Sequence, residues 1–345
     1  MPGPGFARQQ EQERRGVTPP GPLAGNVGQR LGGATGPRGN AAAQDALRAR
    51  IGAGTDTNQV GTQDATAQTT GQTPAGSATD RQINEEALAR VATAAVAVAP
   101  ADLRTYAESA IPGILRQSAA SGVTNLNQVA YVLATTEHES KFGRPAFDRS
   151  ESLVEDRNPF SRRRNGTYSA ENHVSGGVNS AKTEDELETK YWDSAYGGRL
   201  GNARGTEDAR NFRGRGYVQL TGRSNYEGMT RHLNSIGFSY QIDGQAYGGQ
   251  GNPAIDLAAH PDHVNRVPEL AARIMVDGMK NGSFTGRSMG DYINDSGTNF
   301  TNARAVVNGD TSTNGASVGK IARRYAPALS GWASVFQVDK PSAAS

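Results

Sequence analysis

Two glutamates near the end of one predicted helix are the residues best placed for acid–base chemistry. At 100° per residue, Glu139 lies on one edge of the helix's apolar face and Glu137 on the other. A carboxyl at such an edge is partly desolvated, which favours its protonated form and suits a general acid. Spacing alone does not choose between them, and two solvated charges at a helix end would give the same pattern. The helix is predicted over Gln128–Ser140, with an apolar face of Val129, Val132, Leu133 and Thr136.

Further carboxylates follow this helix at once. Asp148 and Glu151 lie in the acidic stretch Phe147–Asp156. A glycosidase uses a pair of carboxyls on either side of the bond that it cleaves, roughly 5 Å apart in retaining enzymes and roughly 6.5–9.5 Å in inverting ones. A helix end followed by a short loop can bring two carboxyls to such a distance, although acidic loops are common.

The segment Asn211–Tyr226 combines glycines with polar and aromatic side chains. Its glycines allow a close approach of the backbone to a partner. Alternation over Gly216–Thr221 predicts a strand with Tyr217, Gln219 and Thr221 on one side. Amides, hydroxyls and aromatic rings suit binding of sugars, but a turn and strand with a polar face would look the same.

These segments together resemble glycoside hydrolase family 19, which contains plant-type chitinases and many bacterial and phage lysozymes. Gly214–Tyr226 resembles the family signature, and Leu133–Ser140 resembles its His-Glu element, whose Glu is the general acid. Tyr196–Asn202 resembles the segment before the signature in the phage-type branch, and Val306–Gly309 resembles a late Asn-Gly element. The resemblance covers about Asp102 to Leu329.

The resemblance implies a mainly α, lysozyme-like α+β domain with a small β element, and it selects Glu139 over Glu137 as the acid. It implies no metal and no cofactor. Thr221 would hold the nucleophilic water together with a second carboxylate. The residues expected to bind substrate are Tyr217, Gln219, Asn225, Tyr226 and Asn308.

The second carboxylate departs from the chitinase pattern. Chitinases of this family carry it in a loop that contains cysteine, and this chain has no cysteine. The phage-type lysozymes use an acidic residue soon after the His-Glu element, so Asp148 is the first candidate and Glu151 the reserve.

Composition separates the chain into a head, a domain and a tail. Residues 1–78 are rich in Gly, Gln, Thr and Pro and have few large apolar residues, which predicts disorder. A connecting helix is expected over 79–101, capped by Thr79 or Asp80, then the hydrolase domain over 102–335 and a disordered tail over 336–345. The best further helical patterns are Glu184–Tyr191, Ser224–Ile236, Pro268–Asn281, Met289–Ile293, Ala303–Val307 and Gly319–Leu329.

Charge and hydropathy limit the partners. A net charge of +2, with Arg spread among Asp and Glu, does not indicate a nucleic-acid binder. The longest apolar run, Val91–Ala101, is about half of the roughly 20 residues that a membrane span needs. No secretory signal is visible at Met1. We expect a monomer made in the cytoplasm and brought to the cell wall by another route. The head is either a flexible linker or a segment that loads a delivery particle, such as a phage virion or a contractile injection system.

Peptidoglycan is the expected substrate, since the missing cysteines and the Tyr196–Asn202 segment favour the lysozyme branch. Chitin is the alternative, because both polymers contain β-1,4-linked N-acetylglucosamine. A protein of another class, a non-catalytic glycan-binding or structural virion component with the same fold, is a second alternative. His260 and His263 do not indicate a metal site, because Pro261 places them in a turn and no third ligand is evident.

Overall fold

The computed structural model of the chain describes residues 83–145, 152–155 and 183–336. The predicted head lies outside the described residues, and so do Asp148 and Glu151. The tail does too, except for its first residue: the ring of Phe336 lies 5.6 Å from that of Trp332 and packs against the core. The folded domain therefore extends at least one residue beyond the predicted boundary.

The described residues are mainly helical, as predicted. Short 3₁₀ turns connect several of the helices, including Lys141–Gly143, Met289–Asp291 and Asn302–Val306. The α-helices are α1 (Glu85–Ala97), α2 (Arg104–Ala120), α3 (Leu126–Ser140), α4 (Glu184–Tyr196), α5 (Asp208–Asn211), α6 (Arg223–Ser235), α7 (His263–Arg266), α8 (Pro268–Asn281) and α9 (Thr311–Tyr325).

Helix α3 lies at the centre of the fold. The spacing of its apolar residues predicted one buried face, but every residue from Val129 to Thr136 is fully buried. It packs against α2, α8 and α9, which cover its sides. A helix that is apolar all round belongs in a core, and the small or apolar character of Ala130 and Ala134 allows these close neighbours. Glu139 follows these buried residues and lies near the C-terminal end of the helix.

The entry into the domain differs from the sequence prediction in two details. Helix α1 is capped by Asn84, whose side-chain oxygen accepts a hydrogen bond from the Ala87 amide at 3.0 Å. Thr79 and Asp80, which were expected to cap it, lie outside the described residues. Helix α2 continues through Pro112, whereas a proline at this point of the sequence predicts a kink or a break. Pro112 lies on the exposed side of α2, where water can satisfy the carbonyl that loses its partner.

The β structure is small, as predicted, but it lies elsewhere. Strands β1 (Ser239–Ile242) and β2 (Gln245–Gly248) form an antiparallel hairpin in which Tyr240 pairs with Tyr247. Strands β3 (Ile293–Asn294) and β4 (Gly297–Thr298) form a second, shorter one. Residues 216–221 were predicted as a strand, and this prediction is wrong: they form a tight turn closed by a single bridge between Arg215 and Leu220.

In the described part of the chain, no helix has both the length and the apolar character needed to cross a membrane.

Candidate active site

The structure separates the two glutamates that helical spacing left equivalent. The Glu137 side chain is 6% exposed and binds Arg324, and the Tyr325 hydroxyl donates to its Oε2 at 2.6 Å. The Glu139 side chain is 17% exposed and binds Arg304. Glu137 is therefore a buried anchor between α3 and α9, whereas Glu139 reaches the surface. The expectation that both are solvated charges does not hold for Glu137.

The role of Glu137 as an anchor leads to a stability prediction. Glu137→Gln should lower the free energy of unfolding by on the order of 1–3 kcal/mol, because a charge-assisted hydrogen bond is lost from a buried position. Activity per folded molecule should change little. Urea denaturation followed by circular dichroism measures the first quantity, and wall lysis at a temperature well below the transition measures the second. Unchanged stability with lost activity would move the acid role to Glu137.

Glu139 belongs to a chain of three charged groups. Arg304, whose side chain is 2% exposed, contacts Glu139 and donates through Nε to Asp310 Oδ1 at 2.6 Å. Burial alone would raise the pKa of Asp310, but hydrogen bonds from Arg304 and Asn314 outweigh burial and hold that pKa below its usual value. An ionised Asp310 balances the charge of Arg304, so this buried guanidinium is held between two carboxylates, Glu139 and Asp310.

The backbone beside Glu139 is unusual. Lys141 and Phe142 both adopt left-handed φ values, 51° and 58°, although neither is a glycine. Non-glycine residues in this region cost free energy and are often found at functional sites. The turn ends α3 one residue after Glu139 and holds the carboxylate at the helix end.

The polar residues of the signature segment line a small cavity of about 10 Å³, roughly the space of one water molecule. Gln219 has a φ of 56°, and its backbone amide donates to the Gly216 carbonyl at 3.2 Å, which closes the turn. The cavity lies between this turn and the segment after Arg304. Its lining residues are Val218, Gln219, Leu220, Thr221, Asn225, Phe284 and Val307. Three of the expected site residues, Gln219, Thr221 and Asn225, are thus brought together.

Asn308 is adjacent in sequence to Val307 of this cavity. Its backbone amide donates to the Arg304 carbonyl at 2.9 Å, so one short segment carries both the partner of Glu139 and this amide side chain. Its side-chain Oδ1 is buried and has no hydrogen-bond partner among the described residues. A buried acceptor without a partner is costly unless a ligand or water supplies the donor.

Tyr217 and Tyr226, expected to contact substrate, are buried instead. Tyr226 is fully buried, and its hydroxyl donates to the Arg213 carbonyl at 3.0 Å. Tyr217 belongs to the same hydrophobic core, and its burial raises the pKa of its hydroxyl to about 12. Both rings support the signature turn from within and present almost no surface to a polymer.

Sequence reasoning missed Glu155, which lies directly against the signature turn. Its Oε2 accepts a hydrogen bond from the Gly214 amide at 2.9 Å, and its Oε1 accepts one from the Tyr196 hydroxyl at 2.8 Å. A Cβ on Gly214 would lie 3.0 Å from Glu155 Oε2 and 2.8 Å from Gln219 Oε1. Gly214 lies between these two side chains, and an added Cβ would require them to shift.

Burial raises the pKa of the Glu155 carboxyl, although hydrogen bonds from Gly214 and Tyr196 and the charges of Arg213 and Arg215 oppose the shift. A carboxyl whose pKa moves towards neutrality is suited to proton transfer. Glu155 lies in the acidic stretch already noted after α3, but the sequence gives no sign that it reaches a glycine 59 residues further on.

The segment Tyr196–Asn202 packs against the end of the signature. The Asn202 side chain donates to the Tyr196 carbonyl at 3.1 Å and accepts from the Arg223 amide at 3.0 Å, which ties this segment to the start of α6. A Cβ on Gly222 would lie 2.3 Å from that of Leu200. Two of the segments that carry the resemblance therefore form one unit around Glu155.

The remaining expected site residues, Asp148 and Glu151, lie outside the described residues. Among the residues that the structure does describe, no cluster of three or more His, Asp or Glu side chains could hold a metal ion.

The chain matches no protein-family model, and a search of curated proteins finds none that is significantly similar to it.

Proposed function

We propose that the chain is a glycoside hydrolase with a lysozyme-like domain that cleaves the β-1,4 glycan of peptidoglycan. The observation that carries the proposal is the short segment from Arg304 to Asn308. Arg304 holds Glu139, while Val307 lines the cavity that also contains Gln219, Thr221 and Asn225. The segment from Arg304 to Asn308 therefore links the proposed acid, Glu139, to the polar residues proposed to bind sugar.

In this proposal Glu139 protonates the leaving oxygen of the glycosidic bond. Its partial exposure lets it reach a polymer, and Arg304, which is also paired with Asp310, holds its carboxyl group in place. General acids of this kind contribute through a proton transfer in the transition state.

Water would attack from the opposite face of the sugar and invert the configuration. Thr221 would position that water together with a carboxylate. Asp148 and Glu151 keep this role as candidates from the sequence. Glu155 joins them because its contact with Gly214 brings its carboxylate beside Gln219, on the turn that leads to Thr221.

Hydrogen bonds would hold the N-acetyl groups of the glycan. The Asn225 side chain lines the cavity, and the buried Oδ1 of Asn308 needs a donor that the amide of an N-acetyl sugar can supply. Neither contact requires a metal or a cofactor.

Lysis of purified wall material tests this function. Adding the protein to a suspension of peptidoglycan should lower its turbidity, and new reducing ends should appear in proportion. Turbidity that falls without new reducing ends would mean that the protein cuts a bond outside the glycan. No change in turbidity, with a folded protein, would favour the non-catalytic alternative.

A further inference from the structure

A second and larger cavity lies directly beside the first. It has a volume of about 200 Å³ and shares Leu220, Asn225 and Phe284 with the smaller cavity. A molecule bound at Gln219 and Thr221 can therefore extend into it. Its other lining residues are Ser224, Gly228, Met229, Arg231, His232 and Ser283, most of them on α6.

The charged groups of this cavity are basic. Arg231 is exposed and forms no ion pair within the described residues, and no aspartate or glutamate is among the lining residues. The only other titratable lining residue is His232. The Arg231 guanidinium is therefore available to a ligand, and no lining carboxylate competes for it.

The carboxylate that contacts His232 is already paired with an arginine. Asp277 is buried on α8, and its Oδ2 contacts His232 Nε2 at 2.8 Å and Arg273 Nε at 2.7 Å. The Ser121 hydroxyl donates to its Oδ1 at 2.5 Å. Because Arg273 balances the charge of Asp277, this carboxylate fixes the His232 ring in place without making the cavity acidic. The local balance stays positive.

We propose that this second cavity binds a carboxylate of the peptide stem that branches from the peptidoglycan glycan strand. The inference rests on the proposed function and adds a subsite for the stem. Arg231 would bind the carboxylate, and the hydroxyls of Ser224 and Ser283 would meet the amides of the stem. Guanidinium groups bind carboxylates with charge-assisted hydrogen bonds, which are stronger than neutral ones.

The chemistry of the two candidate polymers explains why the stem is the favoured occupant. Chitin is a chain of neutral sugars, and it offers no charged group to Arg231. The stem of peptidoglycan carries free carboxylates close to the glycan. A basic cavity that opens beside the sugar-binding residues therefore strengthens binding of peptidoglycan and does not strengthen binding of chitin.

Arg231→Gln tests the inference on two forms of one substrate. The first is purified peptidoglycan with intact stems, and the second is the same material after an amidase has removed them. We expect KM on the intact polymer to rise roughly tenfold with kcat nearly unchanged, because a charge-assisted contact common to ground and transition states is lost. On the stripped glycan the variant should match the wild type. Arg231→Lys should recover part of the loss.

Arg104→Gln is the matched control, since Arg104 is an exposed arginine on α2 with no ion pair in the described part of the chain. It should behave like the wild type on both polymers. Equal kinetics of Arg231→Gln and the wild type on intact peptidoglycan would overturn the inference, and so would the same loss on both polymers.

A binding measurement keeps the inference separate from the proposed hydrolysis. Calorimetry with Glu139→Gln as the background compares a disaccharide that carries a peptide stem with the disaccharide alone. Adding Arg231→Gln should weaken binding of the first roughly tenfold and leave the second unchanged. Equal effects on both ligands would contradict a stem subsite. Wild-type protein that binds both ligands but cleaves neither polymer would refute the hydrolase proposal alone.

Discussion

Replacing Glu139 by glutamine should reduce the rate of peptidoglycan hydrolysis by about 10²–10⁴-fold, the range typical of a lost general acid. Glutamine has nearly the same shape and its carbonyl oxygen can still accept a hydrogen bond from Arg304, but it cannot supply a proton. Initial rates of reducing-end formation on purified peptidoglycan measure the effect.

The melting temperature of the Glu139→Gln variant should stay close to that of the wild type. The Glu139 side chain is partly exposed, and Arg304 keeps its two contacts with Asp310. Glu137→Gln is the matched comparison on the same helix, and it should show the opposite pattern of lower stability and retained activity. An active Glu139→Gln variant beside an inactive but stable Glu137→Gln variant would overturn the assignment.

Replacing Glu155 by glutamine should reduce hydrolysis by a similar factor, about 10²–10⁴-fold, if its carboxylate is the group that activates water. Asp148→Asn and Glu151→Gln are the comparisons, since both residues lie in the same acidic stretch. Of these two, Asp148→Asn should cost more, because aspartate has the lower intrinsic pKa and stays ionised more readily. Normal rates for Glu155→Gln beside an inactive Asp148→Asn or Glu151→Gln would transfer the role to that residue.

The raised pKa of Glu155 adds a pH signature to this prediction. A carboxyl with a folded-state pKa above its unfolded value of 4.5 contributes its stability below pH 4.5 and loses it as the pH rises through the folded-state pKa. The Glu155→Gln variant does not undergo this loss of folding stability as the pH rises. The melting temperature of the variant relative to the wild type should therefore increase from pH 4 to pH 7, by scanning calorimetry at both values. A difference that is constant with pH would show that Glu155 titrates normally in the folded protein.

Local signals in the sequence predicted several helix boundaries well. Helix α8 begins at Pro268 and ends before Gly282, which has a φ of 72°. Proline at the first helical position and glycine after the last one are strong signals for the start and the end of a helix. Asn125 caps α3 through its side chain, and asparagine is among the residues preferred at that position. In each case the deciding interaction lies within four residues, so a single sequence contains it.

The errors arose where distant residues decide the structure. The turn at Gly216–Gln219 resembled a strand because a left-handed glutamine cannot be recognised from its neighbours. Tyr226 was expected to bind substrate, but its ring is buried and its hydroxyl donates to the carbonyl of Arg213. Glu137 is buried because Tyr325, 188 residues away, covers it. The sequence shows which side chains are acidic, amide or aromatic, but contacts with distant residues decide which of them are buried.

Mass spectrometry of the fragments released from purified peptidoglycan tests the central claim most directly, with Glu139→Gln protein as the blank. The account predicts disaccharide-peptides that carry an intact, hydrated reducing end and that are absent from the blank. Fragments lighter by one water, with anhydro-muramyl ends, would show a lytic transglycosylase instead of a hydrolase. Free peptides with an uncut glycan would contradict glycosidic cleavage altogether.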